Sequence, residues 1–239
     1  MPRRTCATLA GMLRYLSPLL AIALPARACD IALVLAMDVS GSVDPVEYRL
    51  QTDGLAWAMR DAAVTEAMVD RRVAIAVTQW SGAREQTVSQ TWTRIEEPAD
   101  VAALSTTLSR MPRAFAGSNT GVGAALRHAA SLFAQVPDCT HRVIDISGDG
   151  DENDGFTLSF DRRAVIDQGI TINALAIEDR GLGQAVTNFY RTRVISRDGF
   201  VITARAHVEF AEAMRRKLLR ELSPPMIIGT RPGNVQSHP

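Results

Sequence analysis

The stretch IALVLAMDVSGSVD, residues 31–44, decides how the chain is read. An unbroken apolar run over residues 31–37 stops on one acid, Asp38. A short run rich in Val, Leu and Ile that ends in turn residues predicts a strand buried on both faces. Ser40, Gly41 and Ser42 follow at once. Asp38, Ser40 and Ser42 thus place three oxygen side chains at alternate positions of a turn, and Gly41 permits the tight path between them. A carboxylate with hydroxyls suits a hard cation such as Mg²⁺ rather than zinc, which favours His and Cys.

Outward from that strand, apolar runs alternate with helical patterns. Residues 46–62 carry apolar positions at three- and four-residue spacing, which predicts an amphipathic helix. Asp44 can cap it, Pro45 fits its first position, and Glu47 can complete a capping box. Strands are expected over 72–82, 86–95, 141–148, 170–179 and 199–204, the second of them more exposed and antiparallel at an edge. Helices are expected over 98–108, 121–136, 161–169, 181–192 and 206–222. In the last of these, Lys217 and several arginines would favour the helix macrodipole. The alternation predicts an α/β fold: a doubly wound, mostly parallel sheet with helices on both faces. Ligands of such sheets bind beyond the carboxyl ends of the strands, where the strand order reverses.

Arg3, Arg4 and Arg14 precede and flank a short apolar segment, and Ala26 and Ala28 place small residues before a cleavage point. Residues 1–28 read as a secretory signal peptide, 29–222 as one domain and 223–239, rich in Pro and Gly, as a loose tail. The apolar segment is too short for a stable membrane span. The chain is therefore expected to be exported, periplasmic or extracellular. The whole sequence has 26 basic and 26 acidic residues. Loss of the leader removes four arginines and no acid, leaving a net charge of −4. That disfavours nucleic acid as a partner, because phosphates demand a basic footprint.

Two later loops supply matching oxygens. Thr120 stands just before the helix at 121–136, and Asp149 ends the strand at 141–148. The phosphate-loop and dinucleotide fingerprints do not occur. The acidic run at 149–155 fails as an EF-hand, since its sixth position is Asp154 and its twelfth Phe160. Asp151, Glu152 and Asp154 read as a solvated rim.

DVSGS, NTGVGAAL and the Asp149–Gly150 pair together resemble the three parts of a metal-ion-dependent adhesion site (MIDAS), found in the von Willebrand factor type A family. The first motif matches the family's Asp-x-Ser-x-Ser pattern and Thr120 its isolated threonine. Gly148 departs from it, because the family usually has Thr there. The resemblance covers residues 30–220. It implies the strand order 3-2-1-4-5-6, and with it the strand at 31–37 lying parallel beside the strand at 141–148. Cys29 and Cys139 would then meet at the end of that strand pair opposite Asp38 and Asp149, as a disulfide. It implies a metal site of Asp38, Ser40, Ser42, Thr120 and Asp149 holding Mg²⁺ (or Mn²⁺ or Ca²⁺). It also implies a protein or peptide ligand that presents Asp or Glu to the open coordination position, and no catalysis. The alternatives are a Mg²⁺-dependent phosphoryl-transfer hydrolase using Asp38, and a purely structural metal site.

Overall fold

The computed structural model describes residues 29–116, 119–178 and 183–223. The leader, nearly all of the tail, and the ends of the helix expected at 181–192 and the strand expected at 170–179 lie partly or wholly outside them. One sheet runs in the order β3-β2-β1-β4-β5-β6. Its strands are β1 (Cys29–Asp38), β2 (Ala74–Trp80), β3 (Gln86–Arg94), β4 (Cys139–Gly148), β5 (Thr171–Glu178) and β6 (Val201–Arg205). Only β3 is antiparallel, at an edge, and its residues, all exposed or half-buried, match that place.

The apolar run of β1 is buried on both sides, as a central parallel strand must be. Its alternate residues feed two cores. Ile31, Leu33, Leu35 and Met37 pack with residues of α1 (Pro45–Met59), α2 (Ala62–Asp70), α3 (Pro98–Ser109) and α7 (Phe210–Leu222). Ala32, Val34 and Ala36 pack with α4 (Val122–Ser131) and α5 (Leu158–Asp167). The remaining helix, α6 (Ala185–Phe189), runs into a π-helical turn at Tyr190–Val194.

Several elements depart from the sequence expectation. The helix expected at 46–62 stops at Met59, and α2 begins anew because Asp61 caps it, accepting from Ala63 N and Val64 N. The helix expected from residue 206 begins later: Ala206 has φ 71° and ψ 160°, a region essentially reserved for glycine. Lys217 is not a surface cation complementing the helix end. It is fully buried, with Nζ 2.8 Å from Asp145 Oδ1 on β4 and 2.6 Å from Glu221 Oε1. Asn173 Nδ2 donates to the same Glu221 oxygen, and the Phe200 ring lies 5.1 Å from the ammonium.

Cys29 and Cys139 are opposite one another in the β1–β4 register and form a disulfide, 110 residues apart in sequence. Without reductant, alkylation should therefore label neither cysteine, as peptide mass mapping would show. Replacing Cys139 by serine should lower stability by about 2–4 kcal/mol in urea titration. Labelling of both thiols in the untreated protein would contradict the bond.

Candidate metal centre

The loop after β1 leaves the carboxyl edge of the sheet between two neighbours. Val39 N donates to Trp80 O at the end of β2, and β4 flanks β1 on its other side, Met37 being paired with Ser147. Asp44 then starts α1. It accepts from Val46 N and Glu47 N, while Glu47 Oε2 accepts from Asp44 N, so the capping box read from the sequence is present. The loop is pinned from outside by Arg113, whose guanidinium donates to Val39 O at 2.9 Å and Ser40 O at 2.8 Å.

A chain of oxygens runs from the interior to the surface. Asp38 is fully buried; its Oδ1 accepts from Ser40 N at 2.8 Å, and its Oδ2 has no hydrogen-bond partner. Ser40 Oγ lies 3.2 Å from Ser42 Oγ, and Ser42 Oγ donates to Asp149 Oδ1 at 2.6 Å. Ser40 is buried and Ser42 is open to solvent. The first motif and Asp149, 107 residues later, are thus in direct contact.

Thr120 is tied through its backbone to the loop that follows Asp149. Its N donates to Asn153 Oδ1 at 2.8 Å, and its carbonyl accepts from Asn153 N and Asp154 N. The next residue, Gly121, donates to Ser81 O beyond the end of β2. Thr120 is buried, and among the described residues its hydroxyl is not hydrogen-bonded to the serines. The structure therefore brings Asp38, Ser40, Ser42 and Asp149 into one contact chain and anchors Thr120 to the loop that follows Asp149.

The acidic loop corrects a reading. Glu152 and Asp154 are not a solvated rim: Glu152 accepts from Gly123 N and Leu158 N, at the starts of α4 and α5, and Asp154 Oδ2 accepts from Ala83 N at 2.8 Å. They staple three loops together. Only Asp151 keeps the exposed character expected of all three.

Burial pushes the Asp38 carboxyl up to about 7, with the neighbouring charge of Asp149 adding to it and the Ser40 hydrogen bonds opposing. Asp149 is raised too, by burial first, against the Ser42 hydrogen bond and His207. Beside Ser42 and Asp149 opens a cleft of about 290 Å³, also lined by Glu47, Glu178 and His207. His207 Nδ1 is 3.1 Å from Glu47 Oε1. The sequence reading passed over His207, Arg113 and Tyr190. For His207 a signal existed: it follows β6, at the same carboxyl edge as the motifs.

The donor chemistry fits a hard divalent cation. Two serine hydroxyls, the Asp149 carboxylate that accepts from one of them, and the Asp38 carboxylate with an unmet buried oxygen form an oxygen-only set. Among the described residues no three His, Cys, Asp or Glu side chains gather as a metal cluster, so the hydroxyls would have to complete any coordination.

A family model described as "Protein of unknown function (DUF1194)" matches residues 28–226. No curated protein matches the chain. Solved structures do. Proximal thread matrix protein 1 from the mussel byssus, in a form with a zinc-occupied MIDAS motif, aligns at 19% identity with a TM-score of 0.57, over 82% of this chain and 48% of its own. The pilus adhesin SpaC from Lactobacillus rhamnosus GG aligns at 14% identity and TM-score 0.58, over 82% and 30%. A von Willebrand factor type A protein from Catenulispora acidiphila aligns at 18% and 0.55, over 82% and 43%. The chain spans less than half the length of each of these three chains. At these identities the likeness establishes the fold, which is that of a von Willebrand factor type A domain with the expected strand order.

Proposed function

We propose that this chain, which belongs to the DUF1194 family of proteins of unknown function, is an exported binding module that captures a partner's carboxylate through a divalent cation. Asp38, Ser40, Ser42, Thr120 and Asp149 would hold the cation, with Mg²⁺ favoured over Mn²⁺ and Ca²⁺. The single observation that carries the reading is the contact of Ser42 Oγ with Asp149 Oδ1 at 2.6 Å. It joins side chains of the loops that leave β1 and β4, far apart in sequence, at one edge of the sheet. The cation would supply a Lewis-acidic position that an Asp or Glu of a protein or peptide can occupy. Neutral hydroxyls leave its charge under-compensated, which favours an anionic ligand. The structures of similar fold include a pilus adhesin and a thread matrix protein, which supports a binding role.

The geometry does not favour a phosphoryl-transfer nucleophile. Asp38 is fully buried at the base of the loop with one oxygen engaged by Ser40 N. Export is supported by the leader pattern of residues 1–28 and by the Cys29–Cys139 disulfide. Among the described residues no helix is long and apolar enough to cross a membrane.

Calorimetric titration with Mg²⁺, Mn²⁺ and Ca²⁺ tests the site, and Asp38→Ala should abolish the heat while the circular dichroism spectrum stays that of the parent. A pull-down from an envelope fraction with magnesium, set against one with chelator, tests the capture. Equal titration curves for the parent and Asp38→Ala would end the reading.

A further inference from the structure

Two buried oxygens beneath the rim lack hydrogen-bond partners and face the same small space: Asp38 Oδ2 and Tyr190 Oη. Gly148 marks that space. A Cβ built there would stand 2.3 Å from Tyr190 Oη and 2.9 Å from Asp38 Oδ2. The phenol thus fills the volume that any side chain at 148 would need. Tyr190 is fully buried, with its ring edge-on to Phe189 at 5.4 Å. It opens the π-helical turn, closed by Ile195 N donating to Tyr190 O. Such turns interrupt regular helices and recur at functional sites. Burial raises the phenol well above its usual pKa, and the charges of Asp38 and Asp149 push it the same way, so it remains a donor. A buried donor without an acceptor beside a buried carboxylate oxygen without a donor is costly for both unless each answers the other.

We propose that Tyr190 is a positioning residue of the cation site: its hydroxyl stands in for the side chain absent at Gly148 and donates, directly or through one water, to Asp38 Oδ2. The inference rests on the cation reading above. With Ser40 N on Oδ1 and Tyr190 on Oδ2, the carboxylate plane would be fixed from both sides. Groups that orient ligands in this way typically change metal affinity by about 10–100-fold when removed.

Tyr190→Phe tests it, since only the hydroxyl is lost. Magnesium affinity measured by calorimetry should fall by about 10–100-fold. In metal-free protein, loss of the donor makes ionised Asp38 harder to hold. The melting temperature of Tyr190→Phe should therefore drop relative to the parent progressively from pH 5 to pH 9. Gly148→Ala should weaken magnesium binding in the parent and cost less in the presence of Tyr190→Phe, because one of the two oxygens that its Cβ would crowd is then gone. Unchanged affinity, or a melting difference that is the same at every pH, would overturn the proposal and leave Tyr190 a packing residue. If the parent itself binds no cation, the site reading fails and this inference with it, whereas a parent that binds magnesium and a Tyr190→Phe that binds it equally well overturns this inference alone.

Discussion

Lys217→Met should cost about 3–5 kcal/mol of folding stability near neutral pH, because it removes one partner of a buried charge cluster. Lys217 has no solvent exposure, and neither do the carboxyl groups it meets to any useful degree. Its ammonium sits 2.8 Å from Asp145 and 2.6 Å from Glu221, so methionine would leave two acids facing each other in a dry interior. Asp145 is already pushed up to about 7 by burial, then by Glu221, with Lys217 pulling it down. Without Lys217 that opposing pull vanishes. A carboxyl raised in the folded state stabilises the fold fully below its unfolded pKa of about 3.8 and withdraws that stability as pH climbs through the folded value. The penalty of Lys217→Met should therefore be small near pH 4 and grow towards pH 8. Urea titrations at those two pH values check it. A deficit of equal size at both would mean that lost packing, not stranded charge, is what the substitution removes. Replacing Asp145, Lys217 and Glu221 together by apolar residues of similar size should be far milder than the single change.

A lysine among arginines near a helix end reads as solvated, and nothing within α7 says otherwise. The signal lay elsewhere, in Asp145, an acid in the middle of the apolar stretch VIDIS of β4. By contrast β1 was legible, since an unbroken apolar run fits only a strand covered on both faces. The start of α1 was legible because Asp44, Pro45 and Glu47 cap it through contacts three residues long. The meeting of Ser42 with Asp149 was not contained in spacing; it needed the strand order that places β4 beside β1, which came from the family resemblance. α2 was missed because its nine residues bury only Val64 and Met68, too few to show a period. The acidic loop misled for a general reason: charges in loops usually face water, whereas Glu152 and Asp154 here accept backbone N–H groups of other loops. His207 could have been placed, since it follows the strand expected at 199–204, whereas Tyr190 follows α6 and no local pattern sets it beside Asp38.

Asp38→Asn should make the metal-free protein more stable at pH 8 while removing its response to magnesium. The carboxyl is raised from 3.8 to about 7, chiefly by burial and then by Asp149. About three pKa units correspond to roughly 4 kcal/mol of stability, present in full below pH 4 and lost as pH rises to 7. Asparagine keeps an oxygen for Ser40 N and carries no charge to desolvate, so it escapes this loss. Parent and variant should melt alike near pH 4 and diverge as pH rises, with the variant higher. Magnesium narrows that gap by stabilising the parent alone. A ligand at a hundred times its dissociation constant adds about 2.7 kcal/mol to a fold that binds it. That gain should be present at pH 8 and fade below pH 6, where a proton competes for the same carboxylate. Thermal melts of both proteins at pH 4, 6 and 8, with magnesium and with chelator, separate the two effects. A variant less stable than the parent at pH 8 in chelator would show that Asp38 holds its loop as an ionised structural cap. The oxygen set would then need no cation to explain its burial. The opposite pattern, an instability that substitution removes and magnesium also removes, is what a site kept for a charged guest requires.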